Sequence, residues 1–174
     1  FDPDFHEGVV GIVASRIKDK LHRPTFVFAP SQAPGHEHEL KGSGRAISGL
    51  HLRDALDLIS KKSPTLISKF GGHAAAAGLS IREESFTEFA TQFEATVAKL
   101  LSAADLEQVI ESDGELGTSD MKLPLARELA SQVWGQGFAA PLFSGVFNVA
   151  SQRIVAEKHL KLKLTQGKHE FDAI

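Results

Sequence analysis

Phe86, Phe89, Phe93, Val97 and Leu100 recur at steps of 3, 4, 4 and 3 residues, a spacing that only an α-helix brings onto one side. Ser85 and Glu88 stand where a capping box would start this helix, predicted over 85–101. An aromatic stripe of this kind has to be buried against a second layer, and the preceding residues supply one. Val9, Val10, Val13, Ile17 and Leu21 give residues 8–21 a helical period that Pro24 stops, and "TFVFA" (25–29) follows as a strand. "LKGSGRAI" returns as another strand, and "HLRDALDLIS" (51–60) is a helix with Leu52, Ala55, Leu56 and Ile59 inward. "AAAAGLSI" suits helix or strand by composition, and the Leu79/Ile81 alternation favours a strand. Helices alternating with short strands predict an α/β layer structure, a mixed β-sheet with flanking helices.

The texture changes near residue 105. "VIESDGEL" (109–116) reads as a strand, and "LPLARELASQVW" (123–134) as a helix with Pro124 in its first turn. "GQGFAAPLFSG" is a loop. "VFNVASQRIVA", "HLKLKLTQ" and "HEFDAI" then read as strands, the last two joined by a Gln-Gly-Lys turn. Alternating strands with short turns predict a small β-barrel that is incomplete here. The expected domains are residues 1–104 and 105–174. A start at Phe1 and an end inside a strand lead us to expect a piece of a longer protein.

With no cysteine, disulfides and thiolate metal sites are excluded. No run approaches the roughly 20 apolar residues that span a bilayer, and no signal peptide opens the chain. The expected setting is the cytoplasm, without a membrane partner. Residues 1–82 carry 11 Lys and Arg against 8 Asp and Glu, residues 83–128 carry 3 against 11, and residues 129–174 carry 5 against 3. A polyanion is therefore repelled by the middle and tolerated at either end.

Two glycine-rich stretches hold the candidate chemistry. Gly42 and Gly44 let a ligand approach the backbone, and Ser43 with the fork of Arg45 suits a phosphate. A tight turn or bulge with an exposed Ser and Arg explains the same residues. His73 follows Gly71 and Gly72 and precedes four alanines, which suits either an imidazole facing an anion or a structural histidine at a turn. His36 and His38 form an H-x-H pair in a polar loop, and Asp2, Asp4 and His6 a carboxylate-type spacing, yet neither set makes a two-metal hydrolytic centre. Lys161 and Lys163 alternate with Leu160, Leu162 and Leu164, near Arg153, Lys158 and Lys168. That face tracks a sugar-phosphate backbone or is simply solvated. Phe138, Phe143 and Phe147 serve as core residues or as stacking platforms.

"FHEGVVGIVASRIKDKLHRPTFVFA", "LKGSGRAISGLHLRDAL" and "KFGGHAAAAGLSI", in this order, resemble the DHHA1 domain of RecJ-type proteins, bacterial single-strand-specific 5′→3′ DNA exonucleases of the DHH/DHHA1 phosphoesterase family. "WGQGFAAPLFSGVF", "QRIVAEKHLKLKL" and "FDAI" resemble the start of the oligonucleotide-binding (OB) barrel that follows it. The resemblance implies a hydrolase acting in DNA repair and recombination, with Mn2+ or Mg2+ held by a separate DHH domain. No catalytic or metal-binding residue is then expected in this chain. Gly42, Ser43, Gly44 and Arg45 would hold the 5′ phosphate of single-stranded DNA, with Gly71, Gly72 and His73 lining the same cleft. Lys158, Lys161 and Lys163 would touch the DNA backbone. Single-strand-binding protein or a RecQ-type helicase are the implied protein partners. One departure is Ala139 and Ala140, where a more polar run is expected.

Overall fold

The computed structural model describes residues 1–135 and 138–174. Two folded units divide the chain, Phe1–Gln108 and Val109–Ile174. The first contains α1 (Val10–Leu21), β1 (Thr25–Pro30), β2 (Glu39–Arg45), α2 (Leu52–Lys62), β3 (Lys69–Gly72), β4 (Ala76–Arg82) and α3 (Phe86–Leu100). Its four strands lie in the order β1-β2-β4-β3. The α/β class and the flanking helices are as expected. Within the sheet every pairing is antiparallel rather than mixed. Helix α2 carries the chain to the far edge, where β3 forms, and a short turn folds β4 back into the gap beside β2. Turns that short reverse the chain and leave no parallel neighbour.

One face of this sheet is the core. Phe28, Leu40, Ala77, Leu79 and Ile81 pack with Leu52, Ala55, Leu56 and Ile59 of α2 and Phe89 of α3, all buried. Phe26 meets Phe89 at 5.5 Å and Phe93 at 5.0 Å, both edge-on, and Phe28 meets Phe89 at 5.5 Å. Such contacts add about 0.5–1.5 kcal/mol each beyond area burial. The helical stripe of α3 thus does what its spacing predicts, except that Leu100 stays exposed and Leu101 packs instead. No capping box forms. Ser85 ends a 3-10 turn, Glu83–Ser85, with near-helical backbone, and its hydroxyl caps nothing. An N-cap normally needs extended backbone.

The other face receives α1. Val10 and Ala14 are buried against Val27 and Ala29, with Phe5 and Val13 at the margin. Val9, Ile17 and Leu21, expected inward, are exposed. The sheet offers α1 only small apolar partners on β1, because the neighbouring strand β2 presents Lys41, Ser43 and Arg45 on that side.

In the second unit, α4 (Leu123–Ser131) precedes an antiparallel sheet of β5 (Asn148–Val155), β6 (His159–Gln166) and β7 (His169–Ala173). The strand expected at 109–116 does not form. Asp113 and Leu142 exchange two hydrogen bonds and Gly114 accepts one from Ser144, but Gly114 at φ 96° turns the chain away from any ladder. Helix α4 ends three residues before Trp134, whose indole N–H donates to the Leu129 carbonyl instead. Phe138 stacks on Trp134 at 5.3 Å and is 68% exposed, so it is no core residue. Gln136 and Gly137 of the expected 135–145 loop lie outside the described residues. Three strands do not close a barrel, and no described residue of this unit is fully buried. No helix among the described residues is long and apolar enough to cross a membrane.

Candidate functional site

Strand β2 alternates strictly, with Gly42 and Gly44 buried and Lys41, Ser43 and Arg45 half-buried on the opposite side. The two glycines do not bare backbone for a ligand. A Cβ on Gly42 would lie 2.4 Å from the Phe28 ring, and one on Gly44 2.4 Å from the Phe26 ring and 2.8 Å from Leu52 Cδ2. Register pairs Phe28 with Gly42 and Phe26 with Gly44, so each ring lies over the glycine opposite. These glycines admit the aromatic core, while their neighbours Ser43 and Arg45 face the α1 side.

The guanidinium of Arg45 is fixed by its own strand. Its Nη1 donates to Ser43 Oγ at 3.1 Å and to the Gly44 carbonyl at 2.8 Å. Its Nη2 points to the first turn of α1, where a Cβ on Gly11 would lie 3.1 Å from it and 3.4 Å from Ser43 Oγ. No side chain caps that end of α1. Its free N–H groups and positive dipole end therefore stand beside a cation, an arrangement that repels unless an anion lies between them. Gly11 adjoins this candidate site, and sequence reasoning missed it. Its only sequence signal was a glycine inside a predicted helix, where alanine is favoured by about 1 kcal/mol.

Across the sheet, register builds three rows on this same face. Ser80 lies between Lys41 and Lys69, and Gly78 between Ser43 and Gly71. Arg45 pairs with Ala76, whose carbonyl accepts the His73 N–H at 2.8 Å. Arg45 and His73 thus end one row, about 10 Å apart between backbones, two strand spacings. Helix α1 packs on β1 and β2. Beyond it a Cβ on Gly71 would meet nothing within 4 Å, and one on Gly78 only the Gly42 carbonyl at 3.6 Å. A shallow groove of about 410 Å³ runs there, lined by Lys41, Lys69, Gly71, Gly78 and Ser80 among others. Gly72 has a different task. At φ 138°, with Ala76 O 2.4 Å from where its Cβ would stand, it makes the turn that presents His73.

In the second unit Arg153, Lys161 and Lys163 line one groove with Asp172, and Lys158 sits apart in the β5–β6 turn. The expected cationic face is countered by β7. Lys161 lies 3.6 Å from Asp172 and Lys163 3.0 Å from Glu170. The hydrogen bond to Glu170 holds the Lys163 amine above its ordinary pKa. Among the described residues no group of three or more His, Cys, Asp or Glu could hold a metal ion. His36 meets Glu39 at 3.1 Å instead.

Residues 1–99 match the DHHA1 domain. The chain belongs to the DHHA1 family. Residues 112–174 match the RecJ OB domain, so the two matched stretches fall one in each folded unit. The whole sequence is similar to the single-stranded-DNA-specific exonuclease RecJ of Dickeya dadantii, 49% identical over 163 residues, and of Haemophilus influenzae, 48% over 179 residues. These alignments take in 93% and 100% of this chain but 28% and 30% of those proteins, so the chain spans less than a third of their length. The crystal structure of Thermus thermophilus RecJ in complex with Mg2+ matches with a TM-score of 0.67 at 32% identity, over 94% of this chain and 24% of that one. The same protein in complex with Mn2+ gives 0.66 at 31%, over 94% and 23%. The α1-side face thus lies in the stretch that matches the DHHA1 domain and the lysine-bearing face in the stretch that matches the RecJ OB domain.

Proposed function

We propose that this chain is the substrate-binding part of a RecJ-type single-strand-specific 5′→3′ DNA exonuclease, acting in repair and recombination in the bacterial cytoplasm. Residues 1–104 form its DHHA1 half and residues 105–174 the start of its OB half. The observation that carries this reading is the pairing of the Arg45 fork and Ser43 hydroxyl with the uncapped start of α1, three sources of positive potential converging on one spot. A terminal phosphate placed there would accept from Arg45 and from first-turn N–H groups together, charge-assisted bonds about twice as strong as neutral ones. Gly71 and His73 flank the open lane beside it, where the first nucleotide would lie. Lys158, Lys161 and Lys163 of the OB half would meet the backbone further along, two of them by exchanging Asp172 and Glu170 for phosphate. A protein partner, single-strand-binding protein or a RecQ-type helicase, would meet the acidic 83–128 stretch, whose helix α3 packs on the opposite face of the sheet.

In an exonuclease of this kind a divalent cation, Mn2+ or Mg2+, supplies the activated water that cleaves the phosphodiester. Among the described residues no group of three or more His, Cys, Asp or Glu fits that ion, and its ligands would belong to a DHH domain. What this chain does is hold the end of the strand, fix its register and keep its phosphates from drifting. The chain alone is therefore expected to degrade no single-stranded DNA in the presence of Mn2+. Robust release of mononucleotides by contaminant-free protein would overturn the division of labour.

A second expectation separates stability from function. Gly11→Ala replaces a poor helix former, which stabilises α1 by up to about 1 kcal/mol, but its methyl would sit 3.1 Å from Arg45 Nη2, so the guanidinium must give way slightly and the space between it and α1 narrows. Thermal denaturation should show an equal or higher midpoint, while the preference for 5′-phosphorylated strands falls. A variant that keeps that preference in full counts against phosphate binding at this spot.

A further inference from the structure

The groove lined by Lys41, Lys69, Gly71, Gly78 and Ser80 lies on the same sheet face as Ser43 and Arg45 and carries cations that the 5′-phosphate site does not use. Lys41 and Lys69 stand on either side of Ser80, about 10 Å apart between backbones, and four residues, about 13 Å, from Arg45 and His73 along their strands. Ser80 is 7% exposed, a buried hydroxyl in the floor of a surface groove. It accepts from Lys41 Nζ at 2.9 Å, which leaves its own hydrogen free to donate. The same amine lies 3.1 Å from Glu39 Oε2, so it is held in place from two sides. Bonds from His36 and then Lys41 keep the Glu39 carboxyl below its ordinary range, so it stays ionised and neutralises one of the two lysines. Lys69 is exposed and takes part in no ion pair among the described residues. Between the two cationic ends the floor is Gly78 and Gly71, where no side chain rises to block a ligand lying flat.

We propose that Lys69, Lys41 and Ser80 form a second phosphate locus, taking an internal phosphate of the same single strand whose 5′ phosphate lies at Ser43 and Arg45. This rests on the 5′-phosphate reading given above. A lane of about 13 Å spans no more than about four stacked nucleotides, since phosphates of a stacked strand advance about 3.4 Å each. The glycine floor then lets the sugar-phosphate chain cross the sheet at backbone distance. A strand needs at least one internal phosphate to use both ends, so affinity should rise from mononucleotide to short oligonucleotide within this unit.

The test compares the parent chain with Lys69→Gln and Lys69→Glu, binding 5′-phosphorylated thymidine mono-, di-, tri- and tetranucleotides, and the di- to tetranucleotides without the 5′ phosphate, over a range of salt. Lys69 is exposed, so both variants should fold, which circular dichroism verifies. The expected result is a smaller gain on lengthening the ligand in Lys69→Gln and a larger loss in Lys69→Glu. The slope of log affinity against log salt should fall by about 0.7 for the neutral variant, one single-strand phosphate contact, while preference for the 5′ phosphate is retained. Unchanged length dependence and slope, with that preference intact, overturn the second locus alone. No preference for a 5′ phosphate in the parent chain overturns the underlying reading as well.

Discussion

Gly44→Val should destabilise the first unit by about 3 kcal/mol or more, at or beyond the upper end of what overpacking a core costs. The added Cβ would lie 2.4 Å from one atom of the Phe26 ring, 2.5 Å from another and 2.8 Å from Leu52. The ring cannot step aside, because Phe28, Phe89 and Phe93 surround it at 6.0, 5.5 and 5.0 Å. Valine's better strand propensity returns at most about 1 kcal/mol, too little to offset the clash. Against a total stability of about 5–15 kcal/mol, the loss should lower the thermal midpoint by about 10–20 °C. Gly71→Ala is the control, since its methyl meets nothing within 4 Å and should shift stability by less than about 0.5 kcal/mol. Equal midpoints for the two variants would contradict the packing function given to Gly44.

The same glycine shows where the sequence was legible and where it was not. The phenylalanine stripe of α3 and the inward set Leu52, Ala55, Leu56 and Ile59 of α2 lie where their periods put them, because a helix brings its own residues to one side without help. The tasks of Gly42 and Gly44 depend on which residues of β1 lie across from them, a matter of register that one strand does not reveal. Without that, a glycine facing an aromatic ring and a glycine facing a ligand look alike. Gly71 is open and Gly72 is bound to a turn, though they are adjacent in the chain.

Long-range electrostatics were hidden for the same reason. Lys161 and Lys163 read as a cationic face, but their partners Asp172 and Glu170 belong to the next strand, and only the hairpin register brings them together. Ser43 and Arg45 were legible as a pair because two residues on one strand share a face whatever surrounds them. Their third partner, the start of α1 with Gly11, was not, since it arrives from more than thirty residues away. The apolar stripe of α1 also promised more burial than it finds, because the polar row of β2 beneath it gives Ile17 and Leu21 nothing to pack on.

The second large effect concerns Arg45 itself. Its side chain lies outside the main core, so Arg45→Ala should leave the fold intact and release only Ser43 Oγ and the Gly44 carbonyl from its hydrogen bonds. What it removes is a guanidinium aimed at the uncapped start of α1, worth about 1.5–3 kcal/mol toward a charged ligand, or roughly tenfold to somewhat over a hundredfold in affinity. That loss should fall on the terminal phosphate and spare the rest of the strand, which in the proposed arrangement Lys69 and the OB half hold independently. The decisive measurement is the affinity of the parent and Arg45→Ala chains for two single-stranded oligonucleotides that differ only in a 5′ phosphate. The parent should prefer the phosphorylated strand by at least about tenfold, and the variant should bind both alike, near the parent's affinity for the unphosphorylated one. A parent chain indifferent to the phosphate, or a variant weakened equally on both strands, would contradict the anion cradle at Ser43, Arg45 and Gly11.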